Sequence, residues 1–154
     1  MTDPTTNPTG GPTANPTTGP TTNPTTNPTT GRYERGMATR RRVLGDAHVD
    51  RAQADKTALD APFQELITEA AWGHVWSRDT ISPRDRSLLT IALLAGLGND
   101  HELAMHVRAT ANTGATPAEV MEALLHVAIY AGVPRANHAI GIAKETLAAM
   151  EDKR

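Results

Sequence analysis

The stretch Ser82-Pro-Arg-Asp-Arg-Ser-Leu-Leu-Thr-Ile-Ala-Leu-Leu-Ala-Gly-Leu97 decides the fold class of this chain. It opens with a capping serine, carries proline at the first helical position and places a carboxylate at the third. From Leu88 to Leu94 every residue except Thr90 is apolar. A helix that is apolar around most of its circumference is a buried one, so the segment predicts a central helix running to Leu97.

Working outward, the same start signal recurs. Thr116-Pro-Ala-Glu119 opens a helix to about Ala131, and Asn99-Asp-His-Glu102 opens another that Gly114 stops. Asp60-Ala-Pro62 begins a fourth, with Phe63, Leu66, Ile67, Ala70, Ala71 and His74 on one stripe. Asn137 to Met150 forms a fifth, and residues 32–56 hold one or two more. Strand signals are weak throughout, so the fold class is all-α. On the second face of the fourth helix, Glu65, Glu69, Trp72 and Trp76 share helical spacing. The two indoles either cap the margin of the core or meet another subunit or a ligand, since large aromatics are costly to leave wet.

Composition bounds the rest. Residues 1–31 are almost entirely Thr, Pro, Asn and Gly, with proline at 4, 8, 12, 16, 20, 24 and 28. Such a segment has too little apolar surface to offset the entropy of ordering and is expected to be a disordered, partly polyproline-like tail. It lacks the basic start and apolar run of a secretory signal. Residues 32–154 are long enough for one domain. The net charge is −2, and Asp3 is the tail's only charge, leaving the body at −1. No footprint for nucleic acid exists at that balance, and Arg40-Arg41-Arg42 reads as a solvated helix face or an interface. No apolar run approaches the length of a membrane span. The chain has no cysteine, which rules out disulfides and thiolate chemistry and fits the reducing cytoplasm.

Candidate chemistry falls on a few polar stripes. Glu102 and His106 are four apart on one helical face, the geometry of a carboxylate that orients an imidazole for proton transfer. Glu102 also occupies the capping-box position after Asn99, a purely structural role. His101 points away from Glu102 on the wheel and no third ligand stands at zinc-like spacing, so no metal site is expected. Glu122, His126 and Tyr130 form a second stripe, which is either the outward face of its helix or the wall of a polar pocket. His138 follows the Gly132–Pro134 turn, and alone it reads as structural, as do His48 and His74. Arg84, Arg86, Arg108 and Arg135 are the available carboxylate-binding forks.

Several blocks, in order, are more specific than any of these alone. They are Arg32-Tyr-Glu-Arg-Gly-Met37, Val43-Leu-Gly-Asp-Ala-His-Val-Asp-Arg51, Phe63-Gln-Glu-Leu-Ile67, Arg86-Ser-Leu-Leu-Thr90, His106-Val-Arg108 and Ala128-Ile-Tyr-Ala-Gly-Val-Pro-Arg-Ala-Asn-His138. Through them residues 32–151 resemble the 4-carboxymuconolactone decarboxylase family. The resemblance implies an alkylhydroperoxidase-like helical domain of about six to seven helices, built as a homo-oligomer and often a hexamer. It implies cofactor-free decarboxylation of a lactone dicarboxylate in the protocatechuate branch of aromatic catabolism, yielding the enol-lactone of 3-oxoadipate. A lactone-processing relative with another substrate, or a non-catalytic oligomeric module, are the competing readings. By position, His106 is the expected general acid and Glu102 its orienting partner. Arg86 and Arg108 are expected to bind carboxylates, and His126, Tyr130 and His138 to line the pocket. Ser87 stands where thiol-dependent relatives carry glutamate, while Arg135 and His74 depart from the decarboxylase pattern.

Overall fold

The computed structural model describes residues 28–152, so the Thr/Pro tail lies outside the described residues up to position 27. Helix α1 spans Pro28–Leu44 and takes in the last four positions of the stretch expected as tail; α2 follows at Asp46–Ala54. Helix α3, Ala61–Ile67, runs directly into a π-helical segment, Thr68–Trp76. Then come α4 (Pro83–Leu97), α5 (Asp100–Thr113), α6 (Pro117–Tyr130) and α7 (Val133–Glu151). The described residues contain no strand, and none of their helices is long and apolar enough to cross a membrane.

The expected caps are largely present. Ser82 Oγ accepts from the Asp85 N–H at 3.1 Å. Thr116 and Glu119 form a full capping box. Gly114 ends α5 in the left-handed region at φ 85°, where a side chain would be strained. The last helix starts at Val133, four residues earlier than the sequence predicts. Pro134 fits its first turn because the missing N–H would be unpaired there in any case.

Helices α4 to α7 pack as a bundle around Ile91, Leu103, Val107, Val120, Leu124 and Val127. The fully buried residues that helix α7 adds to this core are alanines, Ala136, Ala139 and Ala143, with Ile140, Ile142 and Leu147 packed at its margin. A smaller cluster, Val43, Trp72 and Ala109, fastens α1 and the π segment onto α5. Two expectations are corrected. Helix α4 is not enclosed: Ile91 and Ala95 are buried, but Leu89, Leu93 and Leu97 are exposed at four-residue intervals, beside Leu125 and Ile129 of α6. The predicted apolar stripe of the fourth helix is also turned outward. Phe63 and Leu66 are exposed, while Thr68, Trp72 and Gly73 are buried. Phe63 and Leu66 are left out because the Gln64–Thr68 side faces Arg40 of α1, and beyond Thr68 the π turn, bonding i to i+5, rotates the residues away from the 3.6-residue register.

That wider turn aligns Thr68 with Gly73, and both face Gly36 of α1. A methyl built on Gly36 would lie inside the van der Waals shell of the Thr68 carbonyl oxygen, and one on Gly73 would sit 2.5 Å from the Arg32 carbonyl. The two elements therefore touch backbone to backbone. Arg35 adds a bond from Nε to the Gly73 carbonyl at 3.2 Å.

Gly36→Ala is accordingly expected to destabilise the fold by roughly 1–3 kcal/mol through overpacking, read as a lowered denaturant midpoint. An unchanged midpoint would show that α1 does not seat on backbone. Glu119 provides a second check. Hydrogen bonds from Arg84 first and the Thr116 backbone second hold its carboxyl down to about 2, from an ordinary 4.5. Because the folded-state value is the lower one, this stabilisation is complete above pH 4.5 and is lost as pH falls towards 2. Glu119→Gln should flatten the acid limb of the stability profile in that window; an unaltered slope would refute the linkage.

Candidate active site

Helix α5 carries the candidate proton donor. Its N-cap, Asn99, makes no side-chain cap bond, and Glu102 closes no capping box. Glu102 is therefore free of the structural role its position allows, and its side chain is exposed. One turn further on, His106 is only 6% exposed. Its imidazole lies nearly parallel to both indoles of the π segment. The centroid separation is 5.7 Å to Trp76 at 21° and 6.2 Å to Trp72 at 15°. The indoles are 5.2 Å from one another. Of the two readings the sequence left open, the core margin describes the indoles within this chain, since Trp72 is buried with Val43 and Ala109 and Trp76 packs against that cluster, and both also stack on His106.

The surroundings set the charge of this histidine. His106 Nδ1 is buried without a hydrogen-bond partner. Burial pulls the imidazole pKa down to about 4; the Glu102 carboxylate opposes this and His48 adds to it. The ring is thus neutral at pH 7. Glu102 acts through its field, with no hydrogen bond to the ring, so the aromatic walls do the orienting that the sequence assigned to the carboxylate.

The neighbourhood of His48, in α2, is positive. Burial lowers its pKa first, and the charges of Arg40, Arg51, Arg108 and His101 push in the same direction. Arg40 itself is 5% exposed. Its Nη1 donates to Gln64 Oε1 at 3.2 Å and, at 3.5 Å, to Thr68 Oγ1. Thr68 lies four residues before Trp72, and Val43, one turn past Arg40, packs on that indole. Arg40, His48, His106 and the two tryptophans thus form one region where α1, α2, α5 and the π segment meet. Among the described residues, no group of three or more His, Asp or Glu could hold a metal ion.

The structure gathers only part of the predicted set. Glu102, His106 and Arg108 share this region. Arg86 is held elsewhere, its Nη2 donating to the Arg78 carbonyl at 3.0 Å in the connection before α4. His126 and Tyr130 stack at 6.1 Å on the outer face of α6. They do line grooves, of about 750 Å³ for His126 alone and about 480 Å³ for both, but the walls of those grooves come from α4 and α6 with no residue of α5 or the π segment. His138 is an exposed residue whose Nε2 lies 2.7 Å from Asp100 Oδ2 at the start of α5. Helix 3.6-periodicity places residues on a face; it does not say which neighbour covers that face, and α6 packs on α4 and α7.

Two participants escaped the sequence reading. Arg40 was grouped with Arg41 and Arg42 as a solvated face or an interface; Arg42 is exposed and Arg41 bonds Asp46 at 3.1 Å and Asp50 at 2.7 Å, but Arg40 is buried. The signal for Arg40 was the buried stripe Gly36, Thr39, Arg40 and Val43 at three- and four-residue spacing. His48 was discounted as a lone histidine.

Comparison with known proteins follows the same outline. The profile of the carboxymuconolactone decarboxylase family matches residues 61–145, from the start of α3 into α7. A 4-carboxymuconolactone decarboxylase from Acinetobacter baylyi is 44% identical over 114 residues, covering 74% of this chain and 85% of the relative. The nitrosuccinic acid decarboxylase npaB of Metarhizium robertsii is 40% identical over 121 residues, covering 79% and 85%. A 4-carboxymuconolactone decarboxylase from Pseudomonas putida is 52% identical over 42 residues, 27% of this chain and 88% of the relative. With a match across more than half its length and relatives this similar over most of theirs, the chain belongs to the carboxymuconolactone decarboxylase family.

Proposed function

We propose that this protein is a 4-carboxymuconolactone decarboxylase, releasing carbon dioxide from the lactone to leave the enol-lactone of 3-oxoadipate, a step of protocatechuate degradation. The observation that carries the reading is a neutral, buried imidazole laid against two indoles at the edge of a cationic region. Support comes also from the Acinetobacter relative of that name.

The chemistry asks little of the protein beyond placement. When the bond from the ring carbon to the carboxylate breaks, its electron pair moves through the ring double bond onto the lactone carbonyl, giving a furan-like oxyanion. The lactone is its own electron sink. One proton must then reach a ring carbon, and His106 is the group to deliver it. The substrate recharges it. A negative charge about 5 Å away, in an effective dielectric of about 20, is worth about 3 kcal/mol, or about two pKa units. A bound dicarboxylate therefore raises the imidazole from about 4 towards its ordinary 6.5, so that it carries a proton on the acid side of neutrality. The exposed Arg108 contributes positive charge to the region, and Glu102 favours the imidazolium by its field.

A second reading has its own support in the Metarhizium relative. A carboxylate beside a nitro group leaves its electron pair on the nitro oxygens, so nitrosuccinate and the lactone pose the same problem: an acidic dianion, a built-in sink and one proton. Incubating the pure protein with freshly generated 4-carboxymuconolactone and, in parallel, with nitrosuccinate, while following carbon dioxide release, separates the two. The lactone should be the faster substrate; no acceleration of either by the intact protein defeats the enzyme assignment.

His106→Gln should lower turnover roughly 10²- to 10⁴-fold. It should also abolish the proton uptake that accompanies dicarboxylate binding to the wild type near pH 6. Near-normal turnover removes His106 from the mechanism.

The proposal includes assembly of several copies. Leu89, Leu93 and Leu97 of α4 present an apolar face along the groove that His126 and Tyr130 line, and Leu125 and Ile129 of α6 are exposed as well. Contiguous exposed apolar surface of this kind marks an association site. Leu93→Asp should shift the protein to a smaller species in light scattering after size-exclusion chromatography; an unchanged mass would place the subunit contact elsewhere.

A further inference from the structure

Among the described residues Arg40 is the buried cation that the proton-transfer scheme leaves unused. The guanidinium carries five N–H donors and a charge that cannot be given up. It lies within the fold at 5% exposure, and Nε is buried without any partner. Its two acceptors, Gln64 Oε1 and Thr68 Oγ1, are neutral and both are met by Nη1. Among the described residues no carboxylate forms an ion pair with it. An uncompensated buried charge is destabilising, and structural arginines are ordinarily buried with a carboxylate.

Position ties this idle fork to the site. Nη1 reaches Thr68, four residues before the Trp72 that stacks on His106. The charge of Arg40 is felt at His48, whose charge is in turn felt at His106. We propose that Arg40 is the seat for a carboxylate of the substrate, a binding and specificity residue that selects dicarboxylates over monocarboxylates. Held there, the anchoring carboxylate leaves the scissile one and the ring to face His106 and the indoles. The naming of the substrate rests on the decarboxylase reading; the carboxylate seat does not.

The test uses the full-length protein, with succinate and butyrate as unreactive four-carbon probes carrying two carboxylates and one. Calorimetric titration should show wild type binding succinate more tightly than butyrate. Arg40→Met should remove that preference and raise KM for 4-carboxymuconolactone about 10- to 100-fold, the worth of a charge-assisted pair, with kcat much less affected. The free Arg40→Met protein should be at least as stable as wild type, because an apolar side chain of similar length removes an unpaired charge. A purely structural arginine would instead lower the denaturant midpoint. Should the methionine variant fail to fold, Arg40→Lys retains the charge without the fork and should show an intermediate rise in KM and a weaker succinate preference.

The outcomes are separable. Wild type that turns over the lactone, with folded Arg40 variants keeping wild-type KM and succinate affinity, overturns the seat and leaves the decarboxylase reading intact. Wild type inactive on the lactone, yet binding succinate in an Arg40-dependent way, sinks that reading and keeps the seat.

Discussion

The contact between α1 and the π segment governs the rest of this molecule. Gly36 and Gly73 let the two backbones meet without side chains between them. The i to i+5 turn presents Thr68 and Gly73 together, which an α-helix of the same sequence would not do. With α1 seated there, Trp72 and Trp76 are carried over α5 onto His106, and Arg40 is drawn inside. A rare helical form thus sits where the candidate chemistry is, an association seen widely for π turns.

The electrostatics of the region follow from that closure. Excluding water lowers the pKa of His106 to about 4 and that of His48 below its ordinary value, and burial likewise pulls Arg40 down from its usual range. In each case the largest cause is desolvation. A buried guanidinium without a carboxylate partner beside imidazoles that burial keeps from charging makes a region that favours an anion.

The second polar stripe belongs to another surface. Glu122, His126 and Tyr130 flank the open apolar face of α4 and α6, away from the imidazole cage. The face would be a liability on a solitary chain and is accounted for when copies pack together. Helix α4 looked central because its sequence is apolar nearly all round. Within one chain only its Ile91 and Ala95 side is covered, and the Leu89–Leu93–Leu97 side fits burial by another copy.

What the sequence by itself determined was local. Capping serine and threonine, proline in the first turn, Gly114 at a helix end and the spacing of Val120, Leu124 and Val127 set the helices and the bundle, since such signals act within a few residues. His106 was legible because Glu102 stands one turn away, and because the blocks around it match a family. The tertiary structure alone decided which faces meet. No local rule announces that Thr68–Trp76 winds as a π helix, because that choice depends on the close approach of α1. For the same reason Arg40 read as one charge in a run of three, and the sequence did not show that the grooves lined by His126, Tyr130 and His138 lie apart from the His106 region. Burial of a side chain is fixed by what packs against it from far along the chain, and it is burial that disfavours the charged forms of Arg40 and His106.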